Sequence, residues 1–302
     1  MMIERILVRA ATTTAVFLFI LTADTAWSFP GERPAAGAET AGAETAAAPE
    51  SGTEQLVLSL SRPGEPGVLI IKHHKGNVRV TGYNGEVVVV NASMRYPDSA
   101  GTRRGVRPVP GHALKLHTFE KHNVITVSTN SHERTIDMDI QVPHAFSLYV
   151  EKLDAGDVSG YYLTGEMDVT SAAGSVWLIG ITGSAVISTV DGDILLRFTG
   201  VTPHVPMAFT SVGGDIDVAL PGDVRATVKM RTDYGEIMSD FDIDLSRRRA
   251  ATDTSLTTGV QRSFLEEWMH GTIGGGGPQL LFKSYLGDIT IRKTGNVSAG
   301  EK

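Results

Sequence analysis

From Leu56 onward the apolar residues do not recur at helical spacing. They come in short runs of Val, Ile and Leu broken by Gly, Asn, Asp and Pro, the texture of strands and tight turns. The turns are periodic. Gly156, Gly165, Gly174, Gly183 and Gly192 follow one another at nine-residue intervals, and Gly67, Gly76 and Gly85 share that spacing nearer the N-terminus. Gly214, Gly235 and Gly287 are later copies at longer intervals. The residue after each glycine is usually polar (Asp157, Glu166, Ser175, Ser184, Asp193, Asp215, Glu236, Asp288), and the second is mostly aliphatic (Val158, Met167, Val176, Ala185, Ile194, Ile216, Ile237, Ile289). The fourth is often aliphatic too, as in Val169, Leu178, Ile187, Leu196, Val218 and Ile291. Positions two and four point to the same side of a strand, so each glycine opens a short strand with one buried face.

A period of eighteen sits above the nine. Ser171-Ala172-Ala173-Gly174 matches Thr189-Val190-Asp191-Gly192, and Leu163-Thr164-Gly165 matches Ile181-Thr182-Gly183. Two strand-turn units therefore make one coil, and a coil buries its apolar face only against other coils. The pattern predicts an all-β fold: a parallel β-solenoid (β-helix-like) of short glycine-punctuated strands with a more irregular β N-terminal part. Val158, Val176, Ile194 and Ile216 should stack as one buried row. Helical spacing is found once, at Phe264, Leu265, Trp268 and Met269, and predicts one short helix near residues 261–270. That helix falls in an insertion over about 240–277, which holds the basic run Arg247-Arg248-Arg249 and ends in Gly274 to Gly277.

The run from Leu114 to Ile291 resembles the DUF4097 "putative adhesin" family, which is related to the head-GIN domain proteins. The matching stretches are Ile140-Gln141-Val142-Pro143, Gly156-Asp157-Val158, Gly213-Gly214-Asp215-Ile216-Asp217-Val218-Ala219-Leu220-Pro221 and Gly287-Asp288-Ile289-Thr290-Ile291. Gly67 to Asn91 fits the family's opening. The resemblance implies a cell-envelope or surface protein of β-solenoid character with no assigned reaction.

The ends of the chain have a different texture. Arg5 and Arg9 precede an apolar run from Ala10 to about Ala23, and Ala26-Trp27-Ser28 supplies small residues at the −3 and −1 positions. This is the pattern of a signal peptide over 1–28, cleaved after Ser28; left uncleaved, it would tether the chain to a membrane. Residues 29–54 are rich in Ala, Gly, Glu, Thr and Pro and read as a disordered linker. The β-solenoid domain then covers 55–294, with a flexible tail at 295–302. The expected location is periplasmic or extracellular at the cell surface. The 302 residues include no cysteine and carry a net charge of −7. That excludes disulfides and thiolate chemistry, and it disfavours nucleic acid, which asks for a basic face.

Candidate chemistry is sparse. Calcium β-rolls need G-G-x-G-x-D in each nine-residue unit, and each unit here has one recurring glycine. Asp157, Ser175 and Asp193 should form one row on a solenoid edge, with Glu166 and Ser184 in another. No Arg or Lys is interleaved to create the acid–base split of a glycosidase or polysaccharide lyase, the alternative enzymatic reading. The histidines have no metal-ligand spacing and suit surface or hairpin positions. Gly274 to Gly277 is followed by Pro278, where a phosphate loop needs Lys. No catalytic residue, metal or cofactor is therefore expected. What remains is an outward apolar strip, Trp177 and Leu195, third after their glycines and eighteen residues apart; Phe264 and Trp268 of the insertion would cover it, cap a solenoid end, or extend it as an aromatic platform. These four residues form the candidate surface for an envelope glycan or a protein partner, in adhesion, binding or scaffolding. A self-assembling β-helix is a third reading and would need uncapped end coils.

Overall fold

Strand β11 (Val176–Asp191) shows how a coil is made. Its first four residues pair with one row of strands, the chain bends at Gly180 (φ 70°), and Thr182–Asp191 pairs with another. The two rows share one apolar core. The computed structural model describes residues 53–95, 114, 116–129, 133–246 and 268–295. The signal segment, most of the linker, Arg247 to Arg249, Phe264 and nearly all of the tail lie outside the described residues.

The first row begins with β5 (Leu116–Lys121), β6 (Val124–Thr129), β2 (Gly67–His73), β8 (Phe146–Lys152) and β10 (Thr164–Ala173). It continues through the second half of β11 to β13 (Met207–Ser211), β19 (Gln279–Lys283), β15 (Ala226–Arg231), β18 (Met269–Ile273) and β17 (Asp244–Leu245). The second row begins with β1 (Thr53–Ser59), β4 (Val87–Arg95), β7 (Thr135–Pro143), β3 (Val78–Tyr83) and β9 (Val158–Tyr161). It continues through the first half of β11 to β12 (Ile194–Val201), β14 (Ile216–Leu220), β20 (Ile289–Lys293) and β16 (Ile237–Ser239). The protein is all-β and solenoid-like. Among the described residues no helix is long and apolar enough to cross a membrane.

The stacking row read from the sequence is present. Val158, Val176, Ile194 and Ile216 are successive register partners, and the row runs on to Val78 and Met138 at one end and to Ile289 and Ile237 at the other. Ile194 is fully buried, and burying such a side chain is worth roughly 1.5–3 kcal/mol. The opposite row stacks Val127, Ile71, Val150, Val169, Ile187, Phe209 and Phe282. The last two rings meet at 5.1 Å.

The structure departs from a simple parallel stack in three ways. Coil order does not follow sequence order at either end. The β2–β3 coil lies between the β6–β7 and β8–β9 coils, and the Gly287 coil is inserted between those of Gly214 and Gly235. Within the described part of the expected helix, Met269 and His270 open strand β18, because Met269–Ile273 pairs antiparallel with β15 and buries Gly271 and Ile273 in alternation. Finally, parallel coils do not run to both ends. Antiparallel strands close the rows at β4–β1, β5–β6 and β15–β18–β17. Among the described residues only β16, three residues long, ends a row in parallel register, and such short or covered edges block open-ended stacking.

Candidate functional site

The acidic row is built into the scaffold. Asn77 N–H donates to Asp137 Oδ1 (2.8 Å), Asp157 N–H to Asn77 Oδ1 (3.1 Å), Ser175 N–H to Asp157 Oδ1 (2.9 Å) and Asp193 N–H to Ser175 Oγ (3.2 Å). The ladder continues as Asp215 N–H to Asp193 Oδ1 (2.9 Å), Asp288 N–H to Asp215 Oδ1 (2.8 Å) and Glu236 N–H to Asp288 Oδ1 (2.8 Å). Each side chain thus satisfies the turn amide of the next coil, as an N-cap satisfies a helix start. The glycine before it is required by contact: a Cβ on Gly174 would lie 2.5 Å from the carbonyl carbon of Gly156, and one on Gly192 2.5 Å from that of Gly174. These carboxylates hold turns together, which the sequence reading of a bare charged row did not foresee.

On the inner side of the same turns runs a row of buried polar groups. Ser211 Oγ donates to Gly192 O (3.1 Å) and accepts from Gly214 N–H (2.9 Å), and Ser284 repeats this with Gly214 O and Gly287 N–H. Ser171 and Thr189 occupy the same row. Two coils break the pattern by placing Lys152 and His73 there. Both are almost fully buried, so His73 departs from the surface position expected of it; it closes the alternation of β2, whose odd residues face inward. His73 Nδ1 bonds Thr129 Oγ1 at 2.9 Å and Nε2 has no partner. Burial, reinforced by the charge of Lys152, holds the imidazole pKa down to about 4. Burial lowers Lys152 to about 8 against the pull of Asp154 and Asp157, and its Nζ donates to Asp154 O.

The outward faces carry what the ladder leaves free. On the second row Trp177 and Leu195 are register partners, and Tyr161 pairs with Ile179 one step along the same strands. Trp177 is 39% exposed. Beside this apolar patch Arg197 Nη1 donates to Asp217 Oδ1 (2.8 Å) and Arg292 Nε to Asp217 Oδ2 (3.0 Å). Trp268 does not join them. It stands on the first row at the end of the stack, with Lys229 Nζ 4.0 Å from its ring centroid.

A depression of about 320 Å³ lies on the first row's outer face, lined by Ile70, Lys72, Tyr149, Glu151, Asp168 and Thr170. Tyr149 Oη donates to Glu166 Oε2 at 3.0 Å. Burial and then Glu166 push Tyr149 up to about 12, and the same two causes raise Asp168 above the usual carboxylate range. The outward parity of Tyr149, Glu166 and Asp168 was readable in the sequence; their convergence was not, because β8 and β10 become neighbours only through the coil. Among the described residues no three His, Asp or Glu side chains gather to hold a metal ion.

No curated protein matches the chain. Two similar solved structures are a "putative cell adhesion protein" from Clostridium sporogenes ATCC 15579 (11% identity, TM-score 0.41, covering 81% of this chain and 100% of that one) and a "putative adhesin" from Bacteroides fragilis NCTC 9343 (14% identity, TM-score 0.39, covering 81% and 98%). The family model described as Toastrack DUF4097 matches residues 67–263 of the 302. The chain therefore belongs to the Toastrack DUF4097 family.

Proposed function

We propose that this protein is an exported, non-enzymatic envelope or surface protein whose rigid stack presents a glycan-binding face for adhesion. The observation that carries the reading is the Trp177–Leu195 strip with Tyr161 and Ile179, set beside the Arg197–Asp217–Arg292 cluster. Aromatic faces pack against the apolar side of a sugar ring, and planar guanidinium and carboxylate groups suit paired hydroxyls. The signal-like segment at 1–28 supports export, and the two adhesin-like structures supply only their names.

The carbohydrate-active alternative has one observation in its favour, the raised Asp168 beside Glu166. The two are two residues apart on one face of β10. Both therefore stand on the same side of any chain lying in the depression, whereas hydrolytic pairs flank the scissile bond. Capture of envelope glycans by the full chain tests the binding reading. Trp177→Ala should keep the fold, because the side chain stands on the outer face and not in the core, and weaken capture about tenfold or more, as loss of an aromatic anchor does. Unchanged capture by Trp177→Ala combined with Leu195→Ser would place binding elsewhere.

A further inference from the structure

The glycine-ladder edge carries a second surface, formed by turns rather than by a strand face. Val190, Val212, Tyr285, Leu286 and Tyr234 are 57, 48, 43, 54 and 72% exposed. The coil register sets them in line along the edge. Gly213 N–H donates to Val190 O, Leu286 N–H to Val212 O and Tyr234 N–H to Tyr285 O, and the two tyrosine rings meet edge-on at 5.2 Å. A contiguous apolar ridge of this kind is unusual on a surface that stays bare.

The ridge is bordered by charge of one sign. Asp193, Asp215 and Asp288 each use one oxygen to accept a turn N–H, so their negative charge stays at the edge, and Glu236 and Asp191 add to it. The turns 190–193, 212–215, 233–236 and 285–288 contain no Lys, Arg or His. The nearby Arg231 is bonded to Asp233 at 2.8 Å.

We propose that this edge docks a basic amphipathic segment of a partner protein, its apolar side chains on the ridge and its Lys or Arg on the carboxylate row. Charge decides the occupant. A second copy presenting the same edge would bring carboxylates against carboxylates, and an anionic lipid surface would be repelled likewise. This surface is separate from the Trp177 face, so either assignment can fail without the other.

The test titrates the full chain with a short fluorescent peptide of alternating Lys and Leu, with oligolysine and a Glu–Leu peptide as controls. The Lys–Leu peptide should bind about tenfold or more tighter than either control, a difference of about 1.4 kcal/mol, and weaken with salt. Val190→Ser with Val212→Ser should reduce its binding to the oligolysine level. Asp193→Asn, Asp215→Asn and Asp288→Asn together should weaken it about tenfold or more while the fold is kept, because an amide oxygen already fills this role at Asn77. If that triple variant does not fold, the valine pair and the salt series decide alone. Equal binding of Lys–Leu and oligolysine, or binding untouched by the valine pair, would overturn the proposal. So would sedimentation showing that the edge pairs two copies of the chain.

Discussion

The two turn edges of the stack are built from the same nine-residue unit and obey different rules. On the ladder edge, the glycines from Gly76 to Gly235 keep the same glycine–polar turn through every coil, because each side-chain oxygen bonds the coil beyond it. Among the described residues the opposite edge repeats this in part: Gly183 packs on Gly165, and Glu166 N–H donates to Ser147 Oγ (3.1 Å). The early corners there are tight, with Tyr162 at φ 55° and Gly180 at φ 70°. The later ones open into loops at 202–206 and 221–225. Turns tied to their neighbours by side chains cannot change length alone; the 221–225 loop, where Val224 N–H bonds Pro221 O, satisfies its own backbone and can.

The largest effect should come from setting a methyl group against each edge. Gly174→Ala places a Cβ 2.5 Å from a backbone carbonyl carbon at φ 108°, whereas a Cβ on Gly222 in the opposite loop meets nothing within 4 Å. The first should cost more than about 3 kcal/mol through backbone displacement and strain. The second should stay within about 0.5 kcal/mol. Denaturant melts of the two variants read this directly, and equal effects would erase the distinction between the edges.

A smaller effect sharpens the comparison within the ladder edge, where His73 and Lys152 stand in a row of hydroxyls. The fold favours neutral His73, with a pKa of about 4 against an ordinary 6.5, so the unfolded chain binds the extra proton between those values. Stability from this group is complete above about pH 6.5 and falls as pH drops toward 4, by roughly 3 kcal/mol. His73→Thr, which installs the residue type of Thr129 and Thr189, should flatten the slope of stability between pH 7 and 4.5. An unchanged slope would mean that other groups govern acid sensitivity.

What could be read from the sequence follows the same division. The row Val158, Val176, Ile194 and Ile216 was visible because the tied edge keeps its members in phase. The coil order was not. Ser284-Tyr285-Leu286-Gly287 and Thr232-Asp233-Tyr234-Gly235 fit the same slot equally well, and only the antiparallel pairing of β18 with β15 puts the Gly235 coil outermost. The spacing of Phe264, Trp268 and Met269 suggested a helix, yet Met269–Ile273 also alternates, and the open edge of β15 recruits it as a strand. At the candidate surface, parity and the eighteen-residue spacing placed Trp177 beside Leu195. The adjoining cluster was hidden because Arg292 reaches Asp217 across 75 residues of sequence.

The carboxylate row is a set of hydrogen-bond acceptors for the scaffold. The paired substitutions Asp193→Asn and Asp193→Ala test it most directly. The amide keeps an oxygen for Asp215 N–H and removes the charge, so its unfolding free energy should match the wild type within about 0.5 kcal/mol, whereas the alanine leaves that N–H without its partner and should lose about 1–2 kcal/mol. Equal losses in both variants, or none in either, would contradict the structural role assigned to the row.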